Sequence, residues 1–337
     1  MDGNGDPTLT LETFKTEIQT LTSAKRLWVA YSGGLDSHVL LDLSVRAFAE
    51  QLDYPVSALH IHHGIHPNAD HWAQHCERIC ENFAIPLTVL WVDGNVVDGR
   101  SPEEVAREAR FAAFENFLGK DDCLLLAHHE EDQAETILLR LFRGSGPLGL
   151  SGIPKKSRVG ESELIRPLLA VSQETIKQYA KVRHLKWIED DSNHNTRFDR
   201  NYLRHEIMPL LQRRWPRVVR SINRAGTLCF ETASAVQVLA MQDLETVRGE
   251  DAHCLSVSRL LLLEPVRRRG VLRFWLQDLG FTLPSRDHIE RIDREMLKAK
   301  PGSRPRLKIS SYEIRRTRDL LSVVSLSIGG IHLNSPS

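Results

Sequence analysis

Short apolar runs alternate with stretches whose apolar residues recur at helical spacing through the first half of the chain. The runs are Leu27-Trp28-Val29-Ala30, Val56-Ser57-Ala58-Leu59-His60-Ile61-His62, Leu87-Thr88-Val89-Leu90-Trp91-Val92 and Cys123-Leu124-Leu125-Leu126-Ala127. Near-continuous apolar strands belong to a sheet buried on both faces. The intervening segments predict helices over about 37–51, 68–83, 101–118 and 131–142, after a leading helix over 10–24. Ser101-Pro102-Glu103-Glu104 carries an N-cap, a proline at the first helical position and acids in the first turn. A fifth strand is expected at 164–169, and Ser172 should cap a helix to about Arg183. Repeated β-α units of this kind predict an α/β fold with a doubly wound parallel sheet.

The pattern changes after Leu185. A polar linker, Trp187-Ile188-Glu189-Asp190-Asp191-Ser192-Asn193, leads to arginine-rich helical segments broken at Pro216. A leucine- and arginine-rich helix is expected over 256–278, another from about Pro284, and two or three short strands between Arg306 and Ser325. The predicted organisation is a catalytic domain over 1–214 and a second, mostly helical, basic domain over 215–337.

The net charge of zero conceals a polarity. Residues 1–150 carry 11 Lys+Arg against 23 Asp+Glu, and residues 151–337 carry 33 against 21. The basic half suits a polyanion such as nucleic acid, and the acidic half suits small cations or metal ions with a nucleotide. The five cysteines form no C-x-x-C pair, which fits a reducing, cytoplasmic setting better than a disulfide framework. No apolar run approaches the ~20 residues of a membrane span, and the polar N-terminus does not read as a secretory signal.

Ser32-Gly33-Gly34-Leu35-Asp36-Ser37 lies between the first strand and its helix. Glycines let the backbone turn tightly, and the free N–H groups of the first helical turn with two serine hydroxyls can point at phosphate oxygens. The turn has no lysine and is not a G-x-x-x-x-G-K-[ST] loop. It carries Asp36 instead, which can hold Mg²⁺ or orient a nucleophile. Gly144-Ser145-Gly146-Pro147-Leu148-Gly149 also fits a nucleotide fingerprint, but it follows a helix rather than a strand. It reads as a helix C-cap and loop.

In such sheets ligands bind beyond the C-terminal strand ends. There lie the 32–37 turn, the histidine-rich 62–67 loop and His128-His129-Glu130-Glu131-Asp132-Gln133. On an early-starting helix, His128, Asp132 and Glu135 share one face and could bind Mg²⁺ and deprotonate a nucleophile. Glu130 and Glu131 read as complements to the helix dipole. His60, His62, His63, His66, His71 and His75 cluster, yet no cysteine completes a zinc set; strand-end packing or adenine contacts suit them better. Arg107 and Arg110, three apart on one helix, are candidates for pyrophosphate or a substrate backbone, and Arg200 and Arg204 could reach phosphates.

The Ser32-Gly33-Gly34-Leu35-Asp36-Ser37 turn resembles the PP-loop of the ATP pyrophosphatases. The motifs around it resemble one branch, the tRNA(Ile)-lysidine synthase family. They are His60-Ile61-His62-His63-Gly64, Glu104 with Ala106-Arg107 and Arg110-Phe111, His128-His129 with Asp132-Gln133 and Glu135-Thr136, and Arg143-Gly144-Ser145-Gly146. Ile165-Arg166-Pro167-Leu168-Leu169, Asp191-Ser192-Asn193 and Arg200-Asn201-Tyr202-Leu203-Arg204 follow in order. Glu131 before Asp132 replaces one member of a paired acid often seen in the family, and no full extra C-terminal domain of the kind many members carry is expected here.

The resemblance implies ATP and Mg²⁺ as cofactors, with Ser32, Gly33, Gly34, Leu35, Asp36 and Ser37 holding the nucleotide. It implies adenylation of C2 of the wobble cytidine of a tRNA(Ile) with a CAU anticodon, followed by attack of free L-lysine and release of AMP. Asp36, His128, Asp132 and Glu135 are the expected catalytic residues, and Asp36 with Asp132 the metal ligands. A homodimer is a further expectation, and no membrane partner is expected. The alternatives are a PP-loop tRNA thiolase, which the missing cysteine pair disfavours, a metabolite amide synthetase, and a non-catalytic nucleotide-sensing RNA-binding protein.

Overall fold

Strand β1 (Arg26–Ala30) sits inside a six-stranded sheet because both its faces are apolar. Leu27 and Val29 join one core cluster, and Trp28 and Ala30 pack on another. The computed structural model describes residues 9–48, 55–64, 67–92, 102–189, 195–282, 284–300 and 302–326. On one flank of β1 lie β2 (Val56–His62) and β3 (Leu87–Trp91); on the other lie β4 (Asp122–Leu125), β6 (Ser162–Ile165) and β5 (Lys156–Val159). All pair in parallel except β5, which runs antiparallel to β6.

Helices α1 (Leu11–Leu21), α2 (Leu35–Phe48), α3 (Ala69–Asn82) and α7 (Gln173–Val182) cover one face, contributing Phe14, Leu40, Cys76 and Ile176. Helix α4 (Pro102–Phe117) contributes Phe114 to the other face. Ser172 caps α7 as expected, its side chain accepting from the Thr175 N–H. The chain moves outward from β1 to β3 and then returns to β4 on the opposite side of β1. That reversal is the switch point at which open α/β sheets bind ligands. The 32–37 turn after β1 and the segment after β4 both lie there.

Helix α5 (Glu130–Phe142) follows β4, and α6 (Pro147–Leu150) follows it. Next come α8 (Asp199–Tyr202), a π-helical turn (Leu203–Ile207), α9 (Met208–Arg214) and the long α10 (Val218–Val247). Ala134 of α5, Leu203, Met208 and Val219 form one small core. Gly144, at φ +71°, closes α5, and the Gly144 and Ser145 N–H groups donate to Leu141 and Arg140. The glycine pattern there is a helix cap, as read from the sequence.

The chain divides into two compact units between Cys229 and Phe230. The C-terminal unit contains β7 (Cys254–Ser256), α11 (Val257–Leu262), α12 (Pro265–Asp278), α13 (Arg286–Arg291) with a π turn (Ile292–Leu297), β8 (Arg306–Ile309), β9 (Tyr312–Thr317) and β10 (Leu320–Ser325). The strands form an antiparallel sheet in the order β7-β10-β9-β8. Trp275, Leu272, Ile289, Tyr312 and Leu321 are at the centre of its core.

Three expectations need correction. The strand expected at 164–169 lies at Ser162–Ile165. Pro167 has no N–H for the ladder, and the chain turns there with Leu169 donating to Arg166. The helix expected over 256–278 is two helices, because Pro265 starts α12 and cannot continue the preceding hydrogen-bond ladder. The C-terminal unit is also less purely helical than expected, since β7 adds a fourth strand to its sheet.

Candidate active site

The turn after β1 is pre-shaped by its own side chains. Ser32 N donates to Ser37 Oγ (3.2 Å), the two hydroxyls lie 3.0 Å apart, and Ser37 Oγ donates to Gly34 O (3.0 Å). Gly33 adopts φ +84°, and its carbonyl accepts from the Ile188 N–H at 2.9 Å. A Cβ on Gly33 would lie 3.2 Å from both Cys76 Sγ and Ile188 Cδ1. Gly33→Ala is therefore expected to cost about 1–2 kcal/mol from the left-handed backbone alone. A lower urea midpoint together with weaker ATP binding checks this; an unchanged midpoint would rule out the strained turn.

Asp36 stands in the first turn of α2. Its Oδ1 is buried without a hydrogen-bond partner among the described residues. Its Oδ2 lies 3.8 Å from His129 Nε2. Burial pushes the Asp36 carboxyl above its usual range, against the pull of His129.

His129 occupies the N-cap of α5 and is 1% exposed. Its Nδ1 lies 3.0 Å from Glu131 Oε2, its Nε2 is 3.4 Å from Asp132 Oδ2, and its backbone N–H donates to the same Oδ2 at 3.0 Å. Burial alone would lower the imidazolium, but Asp132, Glu131 and Asp36 outweigh it and hold the pKa up at about 8. Glu131 also accepts from the Gln173 N–H (2.9 Å), tying α5 to α7. It does more than complement a dipole.

Asp132 and Glu135 face two arginines. Arg200 Nη2 donates to Asp132 Oδ1 (2.8 Å) and Arg200 Nε to Glu135 Oε2 (2.9 Å). Arg204 Nη2 reaches Asp132 Oδ1 (2.9 Å) and Glu135 Oε2 (2.8 Å), and Arg204 Nε reaches Glu135 Oε1 (2.7 Å). The Asp132 carboxyl is buried, which disfavours its charge, yet His129 and the arginines hold it below the usual carboxylate range.

His128 carries a buried Nδ1 with no partner among the described residues. Burial, with Arg166, Arg200 and Arg110 nearby, pushes it down to about 3 despite Asp132, so the ring is neutral. Arg110 likewise has a buried, unpartnered Nε, and it feels the charges of Arg107 and Arg200. Both Arg107 and Arg110 lie 5.8 Å from the Phe111 ring centroid. Arg166, in the resemblance motif but absent from the expected site set, donates to Pro154 O (2.8 Å) and Ser157 Oγ (3.1 Å).

Asp36 of the 32–37 turn thus meets His129, Asp132 and Arg204. Asp132 and Glu135 join Arg200 and Arg204, His128 lies among Asp132, Arg200 and Arg110, and Arg107 shares the Phe111 ring with Arg110. Sequence reasoning missed His129 as a site residue; its signal was the N-cap position in front of Glu131 and Asp132. In the histidine cluster, His60 bonds to Tyr31 O (2.8 Å) and His62 to Asp70 (2.9 Å). His66, Ser101, Asp191, Ser192 and Asn193 lie outside the described residues. Among the described residues no group of three or more His, Cys, Asp or Glu side chains is arranged to hold a metal. No helix among them is long and apolar enough to cross a membrane.

A Ser/Gly turn between β1 and α2, at the switch point of a parallel sheet, defines a PP-loop nucleotide-binding protein. Residues 9–211 match the PP-loop domain family, and residues 255–322 match the TilS substrate binding domain. The chain is similar to the tRNA(Ile)-lysidine synthase of Coxiella burnetii, 43% identical over 299 residues that cover 89% of this chain and 66% of the relative. The corresponding protein of Pectobacterium atrosepticum is 40% identical over 315 residues, covering 94% of this chain and 71% of the relative. Among solved structures, the U34-tRNA thiolase NcsA of Methanococcus maripaludis shares the fold, with a TM-score of 0.55 at 18% identity over 66% of this chain and 78% of that one. The chain belongs to the tRNA(Ile)-lysidine synthase family. It spans roughly two thirds of the length of these curated relatives, 66–71%.

Proposed function

We propose that the chain joins lysine to C2 of the wobble cytidine of a tRNA(Ile) with a CAU anticodon, at the expense of ATP. The observation that carries this reading is the placement of Asp36 and the Asp132–Glu135–Arg200–Arg204 cluster around one PP-loop turn, in a chain of this family. In the first step the cytidine C2 oxygen bonds to the α-phosphorus of ATP. The bond between the α-phosphorus and the bridging oxygen breaks, and pyrophosphate leaves. The 32–37 turn holds the phosphates, and Arg107 and Arg110 supply positive charge where the leaving group gains negative charge. In the second step the lysine ε-amine bonds to C2, AMP leaves, and the amine gives up a proton. His128 is neutral and its Nδ1 unpartnered, which suits it to accept a hydrogen bond from the amine and orient it, while burial and the surrounding arginines disfavour the imidazolium, so the proton goes on to solvent.

Lysine carries an ammonium and a carboxylate at its α-carbon. Asp132, Glu135, Arg200 and Arg204 carry the opposite charges, and they meet these groups only by exchanging their present mutual bonds for bonds to the substrate. Asp36 Oδ1 fits Mg²⁺, because it is a buried oxygen without a partner among the described residues. Asp132 offers less, since Arg200, Arg204 and the His129 N–H already engage both its oxygens. When bound, the ion would neutralise charge on the α-phosphate. The proposal keeps residues 1–214 as the catalytic part and 215–337 as the tRNA-holding part.

A sulfur-transfer reading fares worse. Cys76, Cys80 and Cys123 are buried, and burial pushes their thiols up to about 12. One assay tests the proposal: the chain with ATP, labelled lysine and tRNA(Ile) bearing CAU. Label is expected in the tRNA, with AMP and pyrophosphate as co-products. ADP and orthophosphate, or cysteine-dependent sulfur incorporation, would overturn it. A homodimer, the assembly expected with this reading, is read from the mass of the active species.

A further inference from the structure

The sheet of the C-terminal unit buries one face, and its other face is open along β8 and half-open at Arg315. On β8, Leu307 and Ile309 are buried while Arg306 and Lys308 are exposed. The register places Arg306 opposite Arg315, Lys308 opposite Glu313, and Arg315 opposite Ser322 of β10. Arg306, Lys308, Arg315 and Glu313 therefore share the outer face. Arg304, just before β8, is exposed too.

This face is costly as a piece of protein alone. Like charges directly opposite on neighbouring strands repel, and Arg306 and Arg315 are such a pair. The one acid among them, Glu313, is 4% exposed and already bonded to Arg315. Positions 306 and 308 on one strand are about 6.6 Å apart, and neighbouring strands about 4.8 Å. The result is a face on which Arg306, Lys308 and Arg315 share a single acid, Glu313, and so keep an excess of positive charge.

We infer that this outer face, built on Arg304, Arg306, Lys308 and Arg315, is a contact surface for the phosphate backbone of the tRNA. The inference rests on the proposed tRNA substrate and extends it to a named surface. A chain of evenly spaced phosphates complements this excess and relieves the Arg306–Arg315 repulsion. The contact is electrostatic and carries no sequence information, so it serves affinity and orientation while the anticodon is read elsewhere.

The test uses the full chain and a tRNA(Ile) transcript with a CAU anticodon, titrated over a salt series. Arg306→Gln with Lys308→Gln is expected to weaken binding about tenfold and to reduce the slope of log K against log salt by about 1.4–1.8, two phosphate contacts' worth. The melting temperature should change little, because Arg306→Gln removes a repulsion with Arg315 while Lys308→Gln removes an attraction to Glu313. Glu313→Gln should tighten binding. Unchanged affinity and slope in the double variant, in a chain that still modifies tRNA, overturn this surface and leave the functional reading standing. Weaker binding with an unchanged slope and a lower melting temperature assigns the two residues to the fold and also overturns it. A wild-type chain that binds no tRNA overturns both.

Discussion

Glu135→Gln is expected to lower stability by about 3 kcal/mol and to abolish lysine transfer. The substitution keeps the size of the side chain and removes its charge. In the native chain Glu135 accepts three hydrogen bonds from Arg200 and Arg204. Its side chain is 2% exposed, against 25% and 32% for the arginines. Removing one partner of a buried ion pair costs about 3–5 kcal/mol, because the charge left behind is neither hydrated nor paired. The low end applies here, since both arginines reach some solvent and Asp132 remains to share. Denaturant unfolding of Glu135→Gln, Arg204→Gln and the double variant measures the coupling directly. The double variant should be less destabilised than the sum of the singles. Additive losses, or a loss below about 1 kcal/mol for Glu135→Gln, would show that water replaces the pair.

The same cluster shows where the sequence stops being legible. The strands around the site were readable because their periodicity is unambiguous: β2 occupies Val56–His62, the predicted run. The 32–37 turn was readable because strand, glycines and helix leave few other conformations. Strand β5 was not, because Lys156-Ser157-Arg158-Val159 has too few apolar positions to announce a strand. It exists because β6 has a free edge to pair with.

Side-chain partnership is harder still to read. His128 and His129 are adjacent and identical in the sequence, yet one is neutral among arginines and the other is charged among carboxylates. Only the direction of each side chain from the start of α5 separates them. Arg200 and Arg204 read as phosphate ligands; here they close on Asp132 and Glu135, nearly 70 residues earlier in the chain. No local pattern encodes a pairing of that span. The π-helical turn Leu203–Ile207, which contains Arg204, is equally silent in the sequence, although such turns often mark functional sites.

Asp36→Asn is expected to separate catalysis from stability in the opposite way to Glu135→Gln. The native carboxylate is buried with one oxygen lacking a partner, and burial raises its pKa. Its folded pKa lies above the unfolded value, so the ionised group disfavours folding once the pH exceeds the unfolded pKa. Asparagine removes that charge, so the melting temperature at neutral pH should hold or rise. Adenylation should fall on the order of 10²–10³-fold, the usual cost of losing one preorganised charged group at a reacting phosphate. The affinity for tRNA should stay within about twofold, because a carboxylate near the α-phosphate makes no phosphate contact of its own. Pyrophosphate release from ATP and tRNA without lysine isolates this step from the second. A variant that releases pyrophosphate at the wild-type rate would remove Asp36 from the chemistry. One that loses stability along with activity would place it among the residues that hold the fold. The pairing of a gain in stability with a loss of rate is what distinguishes a group retained for the reaction.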